Sequence, residues 1–347
     1  MSEEMIKPKI RQLSGTGRKV INLSNEALVK TSFFSDSEQL PLVVEPSLGE
    51  IDFARWAEQN QEFVETNLMK YRAIMFRGFK VKTVEDFNRC VISTSNGELL
   101  EYKDRSSPRY SVGDKIYVST VYPADQKINL HNEGTYWMSW ALKLYFCCLK
   151  APEQGGETPI ADIRKVYNRI NPSIRERFEK AKVMYVRNYN QGAGLKWQEA
   201  FQTNEKEDIE RYCRDNNIEC HWKQGDRLKT IQIRPAVRKH PKTGENLWFN
   251  HAAFFHFTSL EEEIREALLK AYKEEDLPYN TYYGDGSPIE AAVVEHIMEA
   301  YEREKIKFQW KEGDILMLDN MSVAHAREPY AGERRIIVAM AEPYSVH

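Results

Sequence analysis

Cysteine is scarce and unpaired in this sequence. The five cysteines of the 347-residue chain (Cys90, Cys147, Cys148, Cys213 and Cys220) form no C-x-x-C pair. That argues against a disulfide scaffold or a zinc ribbon and for reduced, buried thiols. Long apolar runs are missing too: ALKLYFCCL at 141–149 falls far short of the ~20 residues that span a bilayer. The stretch MSEEMIKPKIRQLSGTGRK has no apolar core of the secretory kind, so a cytoplasmic protein with no membrane association is expected. Neither charge dominates, since 49 basic and 52 acidic residues are interspersed, with net charge −3 and a pI near 6.3. A nucleic-acid footprint needs a clustered basic face and is not expected. No glycine-rich phosphate loop opens a strand–helix unit, which argues against a doubly wound nucleotide fold, and there is no HExxH.

What the chain does have is apolar and aromatic mass, 41% and 12% of residues, enough for a sizeable core. Residues 1–50 are polar and irregular and read as a segment wrapping that core. Phe53, Trp56, Phe63, Val64 and Leu68 are spaced for an amphipathic helix after Ile51. AIMFRGF (73–79), KIYVSTVYP (115–123) and LKLYFCCL (142–149) predict strands, as do VMYVRNY and TIQIRPAVRKH. IRKVYNRINPSIRERFEKAK predicts two helices broken at Pro172. A further helix is expected from Ser259, with Glu262 completing a capping box and Leu260, Ile264, Leu268 and Tyr272 buried. Another is expected from Ser287, with Pro288 in its first turn and Ile289, Val293, Ile297 and Tyr301 buried. KFQW, ILMLDN and RRIIVAMAEP predict closing strands. Short strands on both sides of a helical insertion indicate a mainly β (α+β) fold, a sandwich or jelly roll with flanking helices, as a single domain over 1–347.

Chemistry concentrates in LHNEGTYW (130–137). Two-residue spacing in extended chain puts His131 and Glu133 on one face, with Asn132 pointing away. A converging imidazole and carboxylate can be a hydrogen-bonded pair, an acid/base couple or two metal ligands, and the stretch alone does not choose. Of the eight histidines, His221, His240, His296 and His347 read as surface groups, and His251 and His256 as packed or hydrogen-bonded. His325 stands apart, in a short loop between a strand ending at Asp319–Asn320 and another beginning at Arg334. Two histidines and a carboxylate make the facial triad of non-haem Fe(II) oxygenases, which leaves positions open for a bidentate cosubstrate and oxygen. A buried arginine fork pairs with a carboxylate. Arg334 and Arg335 are neighbours in a strand, so only one of them can look inward.

Five ordered stretches carry a resemblance: STVYPADQKINLHNEGTYW, CLKAPEQGGETPIADIR, HPKTGENLWFNHAAFFH, LPYNTYYGDGSPI and WKEGDILMLDNMSVAHAREPYAGERR. From about residue 77 to the C-terminus the chain resembles the TauD/TfdA family of Fe(II)/2-oxoglutarate oxygenases, and within it the SyrP-like amino-acid hydroxylases. The resemblance implies a double-stranded β-helix, iron held by His131, Glu133 and His325, and 2-oxoglutarate and O2 as cosubstrates. It implies Arg335, the second arginine of the pair, as the clamp on the distal carboxylate of 2-oxoglutarate, assisted by Thr158. Halogenating relatives carry Ala or Gly at the position of Glu133, so halogenation is not expected.

In the taurine branch a further arginine lies four residues beyond the clamp and binds the substrate's acid. Ala339 stands there, which disfavours a free taurine-like sulfonate. The acid is then masked, for example as a thioester on a carrier protein, or met by Arg109, Arg187 or Arg327. Tyr136 and Asn250 are further pocket candidates. The expected function is hydroxylation of an unactivated C–H bond of an amino acid or amino-acid-derived metabolite, free or carrier-tethered, with release of succinate and CO2. Desaturation or ring closure at the same iron, a His2Glu zinc hydrolase and a catalytically silent binding protein are the alternatives. The expected partner is that small-molecule substrate, and a homo-oligomer is compatible with the sequence.

Overall fold

Two strands, Ser139–Lys150 and Arg335–Ser345, pair antiparallel along most of their length at the middle of an eight-stranded sheet. These and all other features belong to a computed structural model that describes residues 28–47, 49, 51–120, 122–190 and 192–346. Both strands are apolar almost without interruption, as strands covered on both faces must be. Their side chains alternate between two cores. Trp140, Leu144, Phe146 and Cys148 join Leu316, Leu318, Ile336, Val338 and Met340 inside the β-roll. Tyr145, Cys147, Ile315, Met317, Ile337 and Ala339 point the other way. There they meet Phe53, Trp56, Leu68 and Phe87 of the helices Phe53–Gln59, Gln61–Tyr71 and Val84–Thr94. Each fully buried side chain of this size contributes about 1.5–3 kcal/mol.

The large sheet runs in the order Val29–Ser32, Leu42–Pro46, Ala73–Phe76, Ile315–Asp319, Ser139–Lys150, Arg335–Ser345, Ile116–Val118 and Ser111–Gly113. A three-stranded sheet of Ile128–His131, Val323–Arg327 and Ile160–Asp162 turns Leu130, Ile160 and Ala324 into the same inner core. This is the double-stranded β-helix, extended by a further sheet around Val183–Tyr189. Cys90, Cys147, Cys148 and Cys213 are buried, Cys220 is partly so, and all five are free thiols.

Several local expectations change. Of the segment expected to wrap the core, residues 1–27 lie outside the described part. Leu42–Pro46 instead extends the large sheet, pairing parallel with Ala73–Phe76. The helix after Ile51 is two helices, split where the Asn60 side chain donates to the Trp56 carbonyl. The helix expected from Ser259 starts at Glu262, because the Ser259 hydroxyl turns back onto the His256 carbonyl. No capping box forms, none of that helix's residues is buried, and Ile264 and Leu268 face a cavity instead. The helix expected from Ser287 starts at Ala291, since Asp285 holds Ser287 in a turn. KFQW is not a strand, although Phe308 and Trp310 are buried.

Lys143 is buried in the large sheet, with its ammonium 2.8 Å from Glu65, 2.7 Å from Glu342 and 2.9 Å from the Thr94 carbonyl. Lys242 contacts the same two carboxylates. Burial alone would raise Glu65 and Glu342, but the two lysines, with the Asn96 amide at Glu342, outweigh it and hold both below the ordinary glutamate range. Lys143→Met should therefore cost about 3 kcal/mol in urea unfolding at neutral pH, because buried Glu342 and part-buried Glu65 then face one cation. Groups with depressed folded values contribute stability above their unfolded value of about 4.3, and that contribution is lost as pH falls through the folded value. The gap between parent and variant should accordingly close below about pH 4. A gap independent of pH would contradict this.

Candidate active site

Backbone pairing delivers the two histidines. His325 lies within the strand Val323–Arg327, not in the loop expected for it, directly opposite His131 in antiparallel register. Opposed residues of such a pair project to the same side, and here the imidazole centroids are 4.3 Å apart. After His131 the chain leaves the strand and turns, and Gly134 makes the turn possible at φ +70°. A Cβ there would stand 2.4 Å from the Trp137 ring. Asn320 fastens the turn. Its Oδ1 accepts from the Glu133 amide at 2.9 Å, and its Nδ2 donates to the Glu133 and Ala141 carbonyls, each at 2.9 Å. Its own carbonyl accepts from the Asn132 side chain at 2.6 Å. The result is a buried trio in which ligand atoms of His131, Glu133 and His325 all lie within 4.8 Å of one another.

The protonation states suit a cation. His131 Nδ1 lies 2.8 Å from the Asn129 carbonyl, so that nitrogen carries the proton and Nε2 is bare. Burial, more than neighbouring charge, holds His131 below and His325 well below the ordinary imidazole value, and both rings are neutral. Arg109 and Tyr102 both donate to Glu133 Oε2, each at 2.9 Å, and no hydrogen bond reaches Oε1 among the described residues. Burial, followed by the offsetting pulls of Arg109 and Glu133, keeps the Tyr102 phenol well above its usual range and protonated as a donor. Two neutral imidazoles and a carboxylate with a free oxygen form the mixed N/O donor set that suits Fe(II).

Beside the trio is a narrow recess of about 30 Å³, lined by Ser119, Phe146, Thr158, His325, Arg327 and Arg334 among others. The expected clamp, Arg335, is not in it, because its side chain is exposed. Counting back from Ile336, Val338 and Met340, which point inward, puts Arg334 inside and Arg335 outside. The bulge next to this point adds its extra residue to the partner strand, so the alternation holds. Arg334 donates to the Gly156 carbonyl at 2.9 Å and the Ser119 hydroxyl at 3.2 Å, and its Nη2 lies 3.4 Å from Thr158 Oγ1. Thr158 also accepts from Trp310 Nε1 at 3.1 Å. Burial, then neighbouring Arg327, pulls Arg334 down to about 10, which leaves it a cation at neutral pH. Arg334 has no acidic partner among the described residues. The position four beyond it, Val338, faces inward and is apolar, while Ala339 faces the helices.

A cavity of about 470 Å³ reaches His131 and Glu133 from the other side, with largely apolar walls that include Phe255, Phe257, Ile264, Leu268 and Tyr279. Phe254 stacks on His131 at 4.3 Å. Of the substrate candidates only Arg109 reaches this cavity, and its guanidinium is committed to Glu133 and lies 4.1 Å over the Tyr102 ring. Arg327 is spent on the carbonyls of Tyr122, Pro123 and Gln126, and Arg187 on Asp104 and the Arg105 carbonyl. Tyr136 donates to the Asp104 carbonyl, and Asn250 bridges Ala236 and Ala252, so both are structural. His240 is buried rather than at the surface, with Nε2 3.1 Å from Asp319.

Comparison with known proteins supplies the family. A model of the taurine catabolism dioxygenase TauD, TfdA family matches residues 36–340. The chain belongs to the TauD/TfdA family. It is 38% identical over 231 residues to the dapdiamide synthesis protein DdaC of Enterobacter agglomerans, covering 67% of this chain and 70% of DdaC. It is 27% identical over 279 residues to a clavaminate synthase-like protein of Arabidopsis thaliana, covering 75% and 80%. The crystal structure of PvcB from Pseudomonas aeruginosa superposes with a TM-score of 0.52 at 14% identity, over 94% of this chain and 95% of that one, and shows the shared fold. As a TauD/TfdA protein the chain is an Fe(II)/2-oxoglutarate-dependent dioxygenase. The zinc-hydrolase alternative falls with that membership. No helix among the described residues is long and apolar enough to cross a membrane.

Sequence reading missed Asn320, Tyr102, Ser119 and Trp310. Only Asn320 left a signal, as an amide ending the apolar strand ILMLD. Since Asn320 holds the turn and touches no ligand atom, Asn320→Ala should weaken Mn(II) binding by 10- to 100-fold in calorimetry on the metal-free protein. Unchanged affinity would remove Asn320 from the site.

Proposed function

We propose that His131, Glu133 and His325 hold one Fe(II), and that Arg334 with Thr158 holds the distal carboxylate of 2-oxoglutarate. The reaction is hydroxylation of an unactivated C–H bond in an amino-acid-derived metabolite, with succinate and CO2 released. Iron with 2-oxoglutarate and O2 supplies an oxidant able to take a hydrogen atom from such a carbon. The observation that carries the reading is the recess itself, a half-buried guanidinium with no acidic partner beside a buried His–Glu–His trio. A desolvated cation calls for an anion, and its planar fork matches a carboxylate.

The chain's own residues divide the work. Thr158 already accepts from Trp310, so its own proton is available to a bound carboxylate. Arg109 and Tyr102 hold one oxygen of Glu133 and leave the other to the metal. Phe254, stacked on His131, screens that ligand and keeps the cavity side apolar. Retention of Glu133 supports hydroxylation over halogenation. An amino-acid-type substrate is supported by similarity to DdaC, a protein of dapdiamide synthesis. It is also supported by the exposed, opposite charges of Lys127 and Glu261 at the cavity rim, which suit the two ends of a zwitterion.

The test is succinate formation against 2-oxoglutarate concentration. Arg334→Ala should raise the half-saturating 2-oxoglutarate concentration about 100-fold, as loss of a charge-assisted pair worth about 3 kcal/mol requires. Arg335→Ala should stay within about twofold, since its side chain is in solvent. The opposite ranking would return the clamp to Arg335.

A further inference from the structure

His251 takes no part in the chemistry proposed so far, yet it is 2% exposed and lines the cavity beside His131, ring centroids 5.7 Å apart. Its amide donates to the Tyr185 hydroxyl at 2.9 Å, and its ring packs against Phe254 and Phe255, with centroids 5.0 and 4.8 Å away. These contacts fix the ring with Nε2 2.7 Å from the Asn132 carbonyl oxygen. A carbonyl only accepts, so Nε2 carries the proton and Nδ1 is a bare lone pair. That Nδ1 is buried and has no hydrogen-bond partner among the described residues. Buried acceptors without donors are uncommon, and in a residue that lines a substrate cavity one is accounted for by a donor that arrives with the ligand.

Asn132 adds a second feature. It lies between His131 and Glu133, and Asn320 grips the same turn through the Asn132 side chain and the Glu133 backbone. One imidazole thus touches the ligand-bearing turn through one nitrogen and offers the other to an incoming molecule. The donor is a neutral one. A buried ammonium would need an anion, but Glu133 is paired with Arg109 and Glu261 is exposed at the rim.

We infer that His251 is a substrate-positioning residue whose Nδ1 accepts a hydrogen bond from an amide N–H of the substrate, while Nε2 ties the same ring to the turn that carries His131 and Glu133. The inference rests on the proposed function and adds to it that the substrate is an amide-bearing amino-acid derivative.

Three substitutions separate the two roles. His251→Asn keeps an acceptor oxygen where Nδ1 stood and loses the bond to Asn132. His251→Gln keeps an N–H where Nε2 stood and loses the acceptor. His251→Phe loses both. Calorimetry on protein loaded with Mn(II) and N-oxalylglycine, a 2-oxoglutarate mimic that does not turn over, would compare L-amino-acid N-methylamides with the matching methyl esters, in which oxygen replaces the N–H. At least one amide should bind tenfold or more tightly than its ester in the parent and in His251→Asn. The preference should fall below twofold in His251→Gln and His251→Phe. Mn(II) affinity, measured separately, should stay within threefold of the parent in His251→Gln and drop at least tenfold in His251→Asn and His251→Phe. No amide preference in the parent, or a preference that survives in His251→Phe, overturns the assignment. Parent-like Mn(II) affinity in His251→Phe overturns the link to the turn. A parent that binds neither Mn(II) nor N-oxalylglycine contradicts the proposed function itself, and the inference falls with it.

Discussion

The antiparallel pairing of Ile128–His131 with Val323–Arg327 is the constraint on which the rest of the site depends. It sets two imidazoles side by side by backbone hydrogen bonding alone, without asking any side chain to reach. Because the ladder is part of the sheet that encloses the inner core, moving either histidine would mean moving Leu130, Val323 and Ala324 out of their packing. Glu133 is different, since it stands beyond the strand end and needs its own support. Asn320 gives it, with its side-chain oxygen and nitrogen both engaged on the turn that carries the carboxylate. Rigid strands for two ligands and a fastened turn for the third is an arrangement that keeps the trio assembled before any metal arrives.

Charge is distributed to the same end. Two cations beside the trio, Arg109 and Arg334, do different jobs because of what surrounds them. Arg109 is neutralised by Glu133 and so orients a ligand. Arg334 meets only neutral oxygens, from Gly156, Ser119 and Thr158, and so keeps its capacity for an anion. Burying a guanidinium without a carboxylate costs stability, and a bound anion would offset that cost. The apolar cavity on the far side of His131 has no buried, unpaired cation among the described residues, only Lys127 exposed at its rim. That fits a substrate held mainly by shape, by aromatic walls and by single hydrogen bonds.

How much of this was legible in the sequence follows from the range of each interaction. That His131, Glu133 and His325 come together could be expected because metal-ligand chemistry resides in residue type and the motifs around them are specific. The mainly β class could be found because aromatic and β-branched runs mark strands locally. The resemblance placed the clamp at Arg335, whose side chain is exposed while Arg334 lines the recess; the terminal strand is apolar on both faces and shows no alternation from which its inward side could be told. Tyr136, Asn250 and Arg327 lie near the right motifs, but nearness along the chain does not fix where a side chain points. All three turn to backbone carbonyls instead. His240 looked like a turn residue at the surface, yet Asp319, distant in sequence, draws it inside. Ser259 looked like a cap until its hydroxyl was seen bonded backwards to His256. Apart from Ser259, whose partner is local, these misses involved a partner distant in sequence, or a choice of face that both faces' burial conceals.

The central claim is that one iron is held by His131, Glu133 and His325 with room left for 2-oxoglutarate. The most direct measurement is optical and anaerobic: add Fe(II) to the metal-free protein, then 2-oxoglutarate, and record the weak visible charge-transfer band of the chelated cosubstrate. The account predicts a band in the parent and none in His325→Ala at the same concentrations. A parent that binds Fe(II) but develops no band, or a band unchanged in His325→Ala, would contradict it.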